Sequence, residues 1–224
     1  MNQTVLVIAP HADDETLGCG GSILRHRAHG DVVHWLLVTD IQAAQPMGGI
    51  TAEQRDVEVQ ALAARLGFAA THRLGLPPAG LDRLPLGDLV AAIGSVVQHV
   101  APALVYLPFP GDVHSDHAAV FRAASGATKW FRYPSVQEIR LYETLSETNF
   151  GIDPTTIGFR PNLYVNIISY LEEKLAAFAI FDSEIKPPPF PRSMEAVRAL
   201  ALLRGSEAGL MAAEAFMIVK RIEA

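Results

Sequence analysis

Cysteine is nearly missing from this chain. Cys19 stands alone, so no disulfide can form within it, a usage that fits a reducing cytoplasm. Positive charge is scarce as well: 18 lysines and arginines face 24 acids, a formal net charge of −6. That balance argues against a nucleic-acid binder, which would carry a basic patch or stripe. No apolar run approaches the roughly 20 residues that a membrane-spanning helix needs. A basic segment ahead of the first apolar run is lacking too, so the chain reads as having no secretory leader. Repeats and low-complexity tracts are absent, and the cluster Pro187-Pro188-Pro189 with Pro191 is too short for a domain linker. Half of the 224 residues are hydrophobic, enough for a substantial core, and one domain over 1–224 is expected.

What is present is a regular alternation. Val5 to Ala9 is a short apolar run rich in β-branched residues, read as a strand buried on both faces. A helix is expected from about Gly21 to Ala28, ended by Gly30, with His26 and His29 at a solvated helix end. Val32 to Val38 reads as the second strand, with Thr39 and Asp40 at its carboxyl end. A loop over Ile41 to Ile50 follows, containing Pro46, Gly48 and Gly49. Thr51 and Gln54 form a capping box for a helix to Leu66, stopped by Gly67, with an apolar stripe of Val57, Ala61, Leu62 and Ala64. Thr71 to Leu76, the helix Leu86 to Val100 and the strand Ala103 to Leu107 continue the pattern.

Farther on, a helix is predicted over Asp116 to Thr128 and strands over Glu138 to Tyr142 and Leu163 to Ile168. Ser169 to Phe181 has helical spacing, and Ser193 opens a helix to about Arg204. Ala212 to Val219 fits either a closing strand or more helix. Strand–helix alternation with short connections means βαβ units. The expected fold is α/β, Rossmann-like, with three α/β/α layers and a mostly parallel sheet.

Two stretches are chemically dense. His11-Ala12-Asp13-Asp14-Glu15 places an imidazole and three carboxylates directly after the first strand. Acids that close repel one another unless their pKa values rise or a cation joins them. Pro108 to His117, PFPGDVHSDH, follows the strand Ala103 to Leu107 in the same manner. His114 and His117, three apart at a helix start, can share a face. Each residue has a plainer reading: Asp13 and Asp14 as turn formers, Asp116 as the acid of a helix's first turn, the histidines as caps. Two His/Asp clusters delivered to one sheet rim are hard to obtain from unrelated structural needs, and the joint reading is a metal site. Nitrogen and oxygen donors with an open position for water suit catalytic zinc.

Gly18, Gly20 and Gly21 suggest a phosphate cradle instead, but the spacing is not G-x-G-x-x-G and three acids would face the phosphate. A DxD-type glycosyltransferase site leaves the second histidine pair unexplained.

With both stretches in view, the chain resembles the LmbE/PIG-L family of metal-dependent N-deacetylases. The family's A-H-P-D-D-E appears as Pro10-His11-Ala12-Asp13-Asp14-Glu15, with alanine after the histidine. Its H-x-D-H is intact as His114-Ser115-Asp116-His117, and weaker similarity runs through Arg55 and Glu58 to Ala213-Glu214-Ala215-Phe216.

The resemblance implies zinc on His11, Asp14 and His117, with ferrous iron accepting similar ligands. It implies Asp13 as general base, a protonated His114 as oxyanion stabiliser, and Asp116 orienting His114. An N-acetylglucosamine-type sugar or conjugate would be the substrate, in a homo-oligomer, trimer or hexamer. Arg55 is the candidate contact for a sugar hydroxyl or acidic aglycone, its plainer role being a surface pair with Glu58. The segment Lys186 to Arg192 is left open between a pocket wall and a subunit contact. A non-catalytic, metal-containing carbohydrate-binding protein of the same fold is the alternative.

Overall fold

The computed structural model describes residues 2–41, 49–153, 155 and 157–223. Most of the loop expected over Ile41 to Ile50, including Pro46 and Gly48, lies outside the described residues. The elements run β1 (Thr4–Ala9), α1 (Asp14–Ala28), β2 (Val32–Thr39), α2 (Ala52–Leu66), β3 (Ala70–Leu76), α3 (Leu86–Val100), β4 (Leu104–Pro108) and α4 (Ser115–Gly126). Then come β5 (Glu138–Tyr142), β6 (Leu163–Asn166), α5 (Leu171–Phe178), α6 (Met194–Glu207) and β7 (Ala213–Arg221).

Among the described residues the strands form one seven-stranded sheet in the order β3-β2-β1-β4-β5-β7-β6. β1 to β5 pair in parallel, while β7 runs antiparallel to both β5 and β6. The chain leaves β1 towards β2 and β3, then returns to place β4 on β1's other side. That reversal opens a crevice at the carboxyl ends of β1 and β4, where ligands bind in open α/β sheets.

The strands read as unbroken apolar runs because helices cover both faces. Val5, Val7 and Ala9 face one core layer with Trp35, Tyr106 and Phe216, closed by α1, α2, α5 and α6. Leu6 and Ile8 face the other with Leu36, Val105 and Leu141, closed by α3 and α4. Each fully buried Leu or Ile contributes about 1.5–3 kcal/mol. No helix of the described residues is long and apolar enough to cross a membrane.

The capping box at Thr51 and Gln54 forms, and Gly67 closes α2 in the left-handed conformation. The stripe on α2 is corrected, however. Val57, Ala61 and Ala64 are exposed, and the inward face is Arg55, Val59, Leu62 and Leu66. His26 is also corrected: it is buried, with Nδ1 2.6 Å from Asp31 Oδ2 and Nε2 2.9 Å from the Tyr106 hydroxyl. The expected helix over Ser169 to Phe181 is shorter, a 3₁₀ turn at Ile168–Tyr170 leading into α5. The two-way reading of Ala212 to Val219 resolves as strand β7, because hydrogen-bond partners wait on both sides in β5 and β6.

The largest departure is α1, which starts at Asp14 rather than near Gly21. Glycine's poor helix propensity argues against helix through Gly18 to Gly21. Packing overrides it: a Cβ on Gly18 would lie 2.3 Å from the Tyr142 ring, and one on Gly21 2.8 Å from Ile167. These glycines admit close neighbours, and no phosphate cradle is needed to explain them.

Candidate metal centre and cleft

The site begins where β1 stops. Pro10 cannot extend the ladder, and its carbonyl accepts the Thr39 amide at 3.0 Å and hydroxyl at 2.8 Å, locking the ends of β1 and β2 together. Asp13 then takes φ 138°, ψ −26°, a strained backbone for a residue other than glycine, of the kind that gathers at active sites. Its carbonyl is bonded by the Thr16 and Leu17 amides, which launches α1 with Asp14 and Glu15 in the first turn. Acids there meet the positive end of the helix dipole.

Glu15 is fully buried. One of its oxygens accepts the Thr16 hydroxyl at 2.7 Å and the other the Asp13 amide at 3.3 Å, so it braces the turn. Burial raises its pKa to about 8, against the Thr16 hydrogen bond.

From the other side of the switch point, the β4–α4 connection brings His114 to the helix cap and His117 into α4. The two stretches converge. His11 Nδ1 lies 3.2 Å and His117 Nε2 3.3 Å from Asp14 Oδ2, and the three side chains form a group that could hold a metal ion. A second group, His11, His114 and Asp116, overlaps it.

Their donor atoms separate them. Asp14 Oδ1 and His117 Nε2 are buried with no hydrogen-bond partner among the described residues. In the second group, both Asp116 oxygens already accept amides, Oδ2 from Ala79 at 2.8 Å and Oδ1 from Leu81 at 3.0 Å. Leaving buried polar atoms unpaired is costly, and a cation is the partner that both a carboxylate oxygen and an imidazole lone pair accept. The His11–Asp14–His117 set fits a divalent ion.

Charge points the same way. Burial disfavours protonation of His11, yet the hydrogen bonds to Asp116 and Asp14 raise its pKa to about 9. His117 rises to about 10, Asp14 and Asp112 outweighing its burial. The neighbouring carboxylates favour the protonated rings, and metal binding would displace those protons.

Both histidines of this set have a carboxylate on the far nitrogen: Asp116 Oδ2 at 3.0 Å from His11 Nε2, and Asp112 Oδ2 at 2.7 Å from His117 Nδ1. Such partners fix tautomer and ring direction at metal sites. Asp112, itself bonded by the Thr148 hydroxyl at 2.6 Å, was not singled out by the sequence reading, although it sits five residues before His117 in the dense stretch. Asp112→Ala is expected to weaken divalent-ion binding by about 10- to 100-fold, read by competition with a chromophoric chelator.

The orienting role expected of Asp116 takes a different form. Its carboxylate is 3.9 Å from His114 Nδ1 and engages His11 instead, whereas its backbone amide donates to His114 Nδ1 at 3.2 Å. A ring whose Nδ1 accepts a hydrogen carries its own on Nε2. Burial and the neighbouring His11 also depress the His114 pKa. This geometry favours a neutral ring with its hydrogen on Nε2 over the expected protonated one.

Above this floor lies a cleft of about 290 Å³ whose walls include His11, Asp13, Arg55, His114, Glu184 and Arg192. Of the Lys186 to Arg192 segment, Arg192 lines this cleft. Its guanidinium reaches Asp13 Oδ2 at 2.7 Å, the Ser146 hydroxyl at 2.7 Å, Glu147 at 3.0 Å and Glu184 at 3.3 Å. Burial raises the Asp13 pKa to about 7, with Arg192 pulling against the rise. Arg55 is buried, not a surface residue. It pairs with Glu58 at 3.2 Å, as expected, and also with Glu184 at 2.7 Å, and its ring-stacking partner is Phe181.

Comparison with known proteins agrees with this geometry. A curated relative, the diacetylchitobiose deacetylase of Thermococcus kodakarensis, is 28% identical over 97% of this chain and 84% of its own length. The conserved protein TT1542 of Thermus thermophilus superposes with a TM-score of 0.80 at 27% identity, covering 99% of this chain and 97% of that one. The N,N'-diacetylchitobiose deacetylase of Pyrococcus horikoshii, at 23% identity and TM-score 0.78, covers 97% of this chain and 84% of that one and shares the fold. A family profile described as GlcNAc-PI de-N-acetylase matches residues 6–128, the span that holds β1, β4 and both His/Asp stretches. With more than half of the chain matched and the signature side chains gathered at one crevice, this protein belongs to the PIG-L family.

Proposed function

We propose that this chain is a zinc-dependent N-deacetylase that hydrolyses the acetamide of an N-acetylglucosamine-type sugar or conjugate and releases acetate. The observation that carries the reading is the set of unsatisfied donor atoms on Asp14 and His117, lying beneath a cleft that also presents Asp13 and His114. Two nitrogens and a carboxylate suit zinc, and ferrous iron accepts the same set. A bound divalent ion supplies the Lewis acidity that activates water and polarises an amide carbonyl.

The protein's own groups do the rest. Asp13, with a proton affinity raised towards neutrality, takes the proton of the attacking water and later returns it to the departing amine. Arg192 holds one Asp13 oxygen, so the base is aimed rather than free to rotate. The Nε2–H of His114 donates to the carbonyl oxygen as negative charge develops there, held in line by the Asp116 amide on its other nitrogen. Arg55 contributes a wall of the substrate cleft. With Glu58 and Glu184 balancing its charge, it suits a sugar hydroxyl better than an acidic aglycone.

Acetate release from a panel of N-acetylglucosamine, its disaccharide and simple N-acetylglucosaminides tests the proposal. Turnover is expected to vanish with chelator and return with added zinc. Zinc retention and sugar binding with no acetate from any member would favour the non-catalytic carbohydrate-binding alternative.

A further inference from the structure

α1 is not one continuous helix. At Cys19 the backbone leaves helical geometry, with φ −145° and ψ 19°. In an unbroken helix the Gly21 amide would donate to the Leu17 carbonyl and the Ser22 amide to that of Gly18. Instead the Gly21 and Ser22 amides donate to the two oxygens of Glu214, at 2.8 and 2.7 Å. The Leu17 carbonyl accepts from Lys174 Nζ at 2.8 Å, and Lys174 joins Glu214 at 2.7 Å. Both charged residues are buried.

A single ion pair, drawn from α5 and β7, thus takes up two amides and one carbonyl that the break releases. Burying such a pair is expensive, and an unbroken helix would have satisfied the same backbone groups without it. What the break changes is the direction of the first turn of α1 relative to the remainder. That turn carries Asp14 and follows directly on Asp13. It is pressed from the sheet side by Tyr142, whose hydroxyl donates to the Ile8 carbonyl of β1.

We propose that Glu214 and Lys174 are positioning residues whose ion pair holds the break in α1 and so sets the approach of Asp13 and Asp14 to the cleft. The proposal rests on the reading of His11, Asp14 and His117 as a metal centre.

The test measures zinc affinity by competition with a chromophoric chelator, together with thermal melting, in the wild type and three variants. Glu214→Gln is nearly isosteric but replaces one acceptor oxygen by an NH₂ group, so one helix amide loses its partner. Lys174→Met/Glu214→Gln leaves no unpaired buried charge and covers the case in which the single variant fails to fold. Ile93→Val, in the opposite core layer, is a control for general destabilisation.

The zinc Kd is expected to rise at least about tenfold in the Glu214 variants, as for supporting residues at metal sites. It should be unmoved in Ile93→Val even where its melting temperature falls. Folded Glu214 variants with wild-type zinc affinity would overturn the positioning role and leave the pair as a structural feature only. A wild-type protein that binds no zinc would refute the metal-centre reading itself.

Discussion

Asp13→Asn is expected to retain its metal and lose turnover by about 10²- to 10⁴-fold, the range that a positioned general base contributes. The substitution is nearly isosteric, and asparagine is among the residues that best tolerate positive φ, so the strained turn at φ 138° survives. The proposed ligand set of His11, Asp14 and His117 is untouched. The variant loses the capacity to take a proton and the charge 2.7 Å from Arg192, whose guanidinium keeps Glu147 and Glu184 as partners. Metal content by elemental analysis and acetate release measured side by side check the result. Wild-type turnover would remove Asp13 from the chemistry, whereas a loss of metal would show that its carboxylate belongs to the ligand set.

His117→Ala is expected to abolish metal retention and turnover together. His117 is fully buried, and its Nε2 is one of the unsatisfied donors. Removal also strips Asp112 of the imidazole 2.7 Å away, leaving a buried carboxylate short of a partner, a loss worth about 3–5 kcal/mol of stability. The melting temperature should therefore fall as well, and would not be restored by added zinc. This separates the variant from Asp13→Asn, for which the melting curve and its response to zinc stay close to wild type. A His117→Ala protein that keeps stoichiometric metal would place the ion elsewhere in the cleft.

Both results turn on residues that the sequence names and assigns to one sheet rim. The runs Val5 to Ala9 and Ala103 to Leu107 announce buried strands through composition alone, because a strand covered on both faces has no polar side to interrupt it. The two dense stretches are legible for a related reason: residues at strand carboxyl ends need no helical or pleated pattern, so His and Asp stand out there. Asp112 escapes notice because one carboxylate in a loop looks like any turn former until His117 is seen 2.7 Å away. Arg192 is read only as the end of the Lys186 to Arg192 segment, because its partners Asp13 and Ser146 are 179 and 46 residues distant. The stripe on α2 is misplaced because alanine and valine at helical spacing carry too little apolar surface to choose a face. Of the expected stripe only Leu62 is buried, and Val59, Leu66 and Arg55 complete its face.

The sequence by itself determined the strands, most of the helices, the pairing of two His/Asp stretches with two strand ends, and through them the family. These are properties of short windows, where hydrophobic period, turn chemistry and side-chain type act over a few residues. Only the tertiary structure decided that β4 returns to the free side of β1, and so that Asp14 and His117 share a crevice. It alone decided which carboxylate serves which imidazole, and that α1 is broken at Cys19 over a buried ion pair from α5 and β7. Those choices depend on satisfying every buried donor and acceptor at once, a condition on groups far apart in the chain that no local pattern encodes.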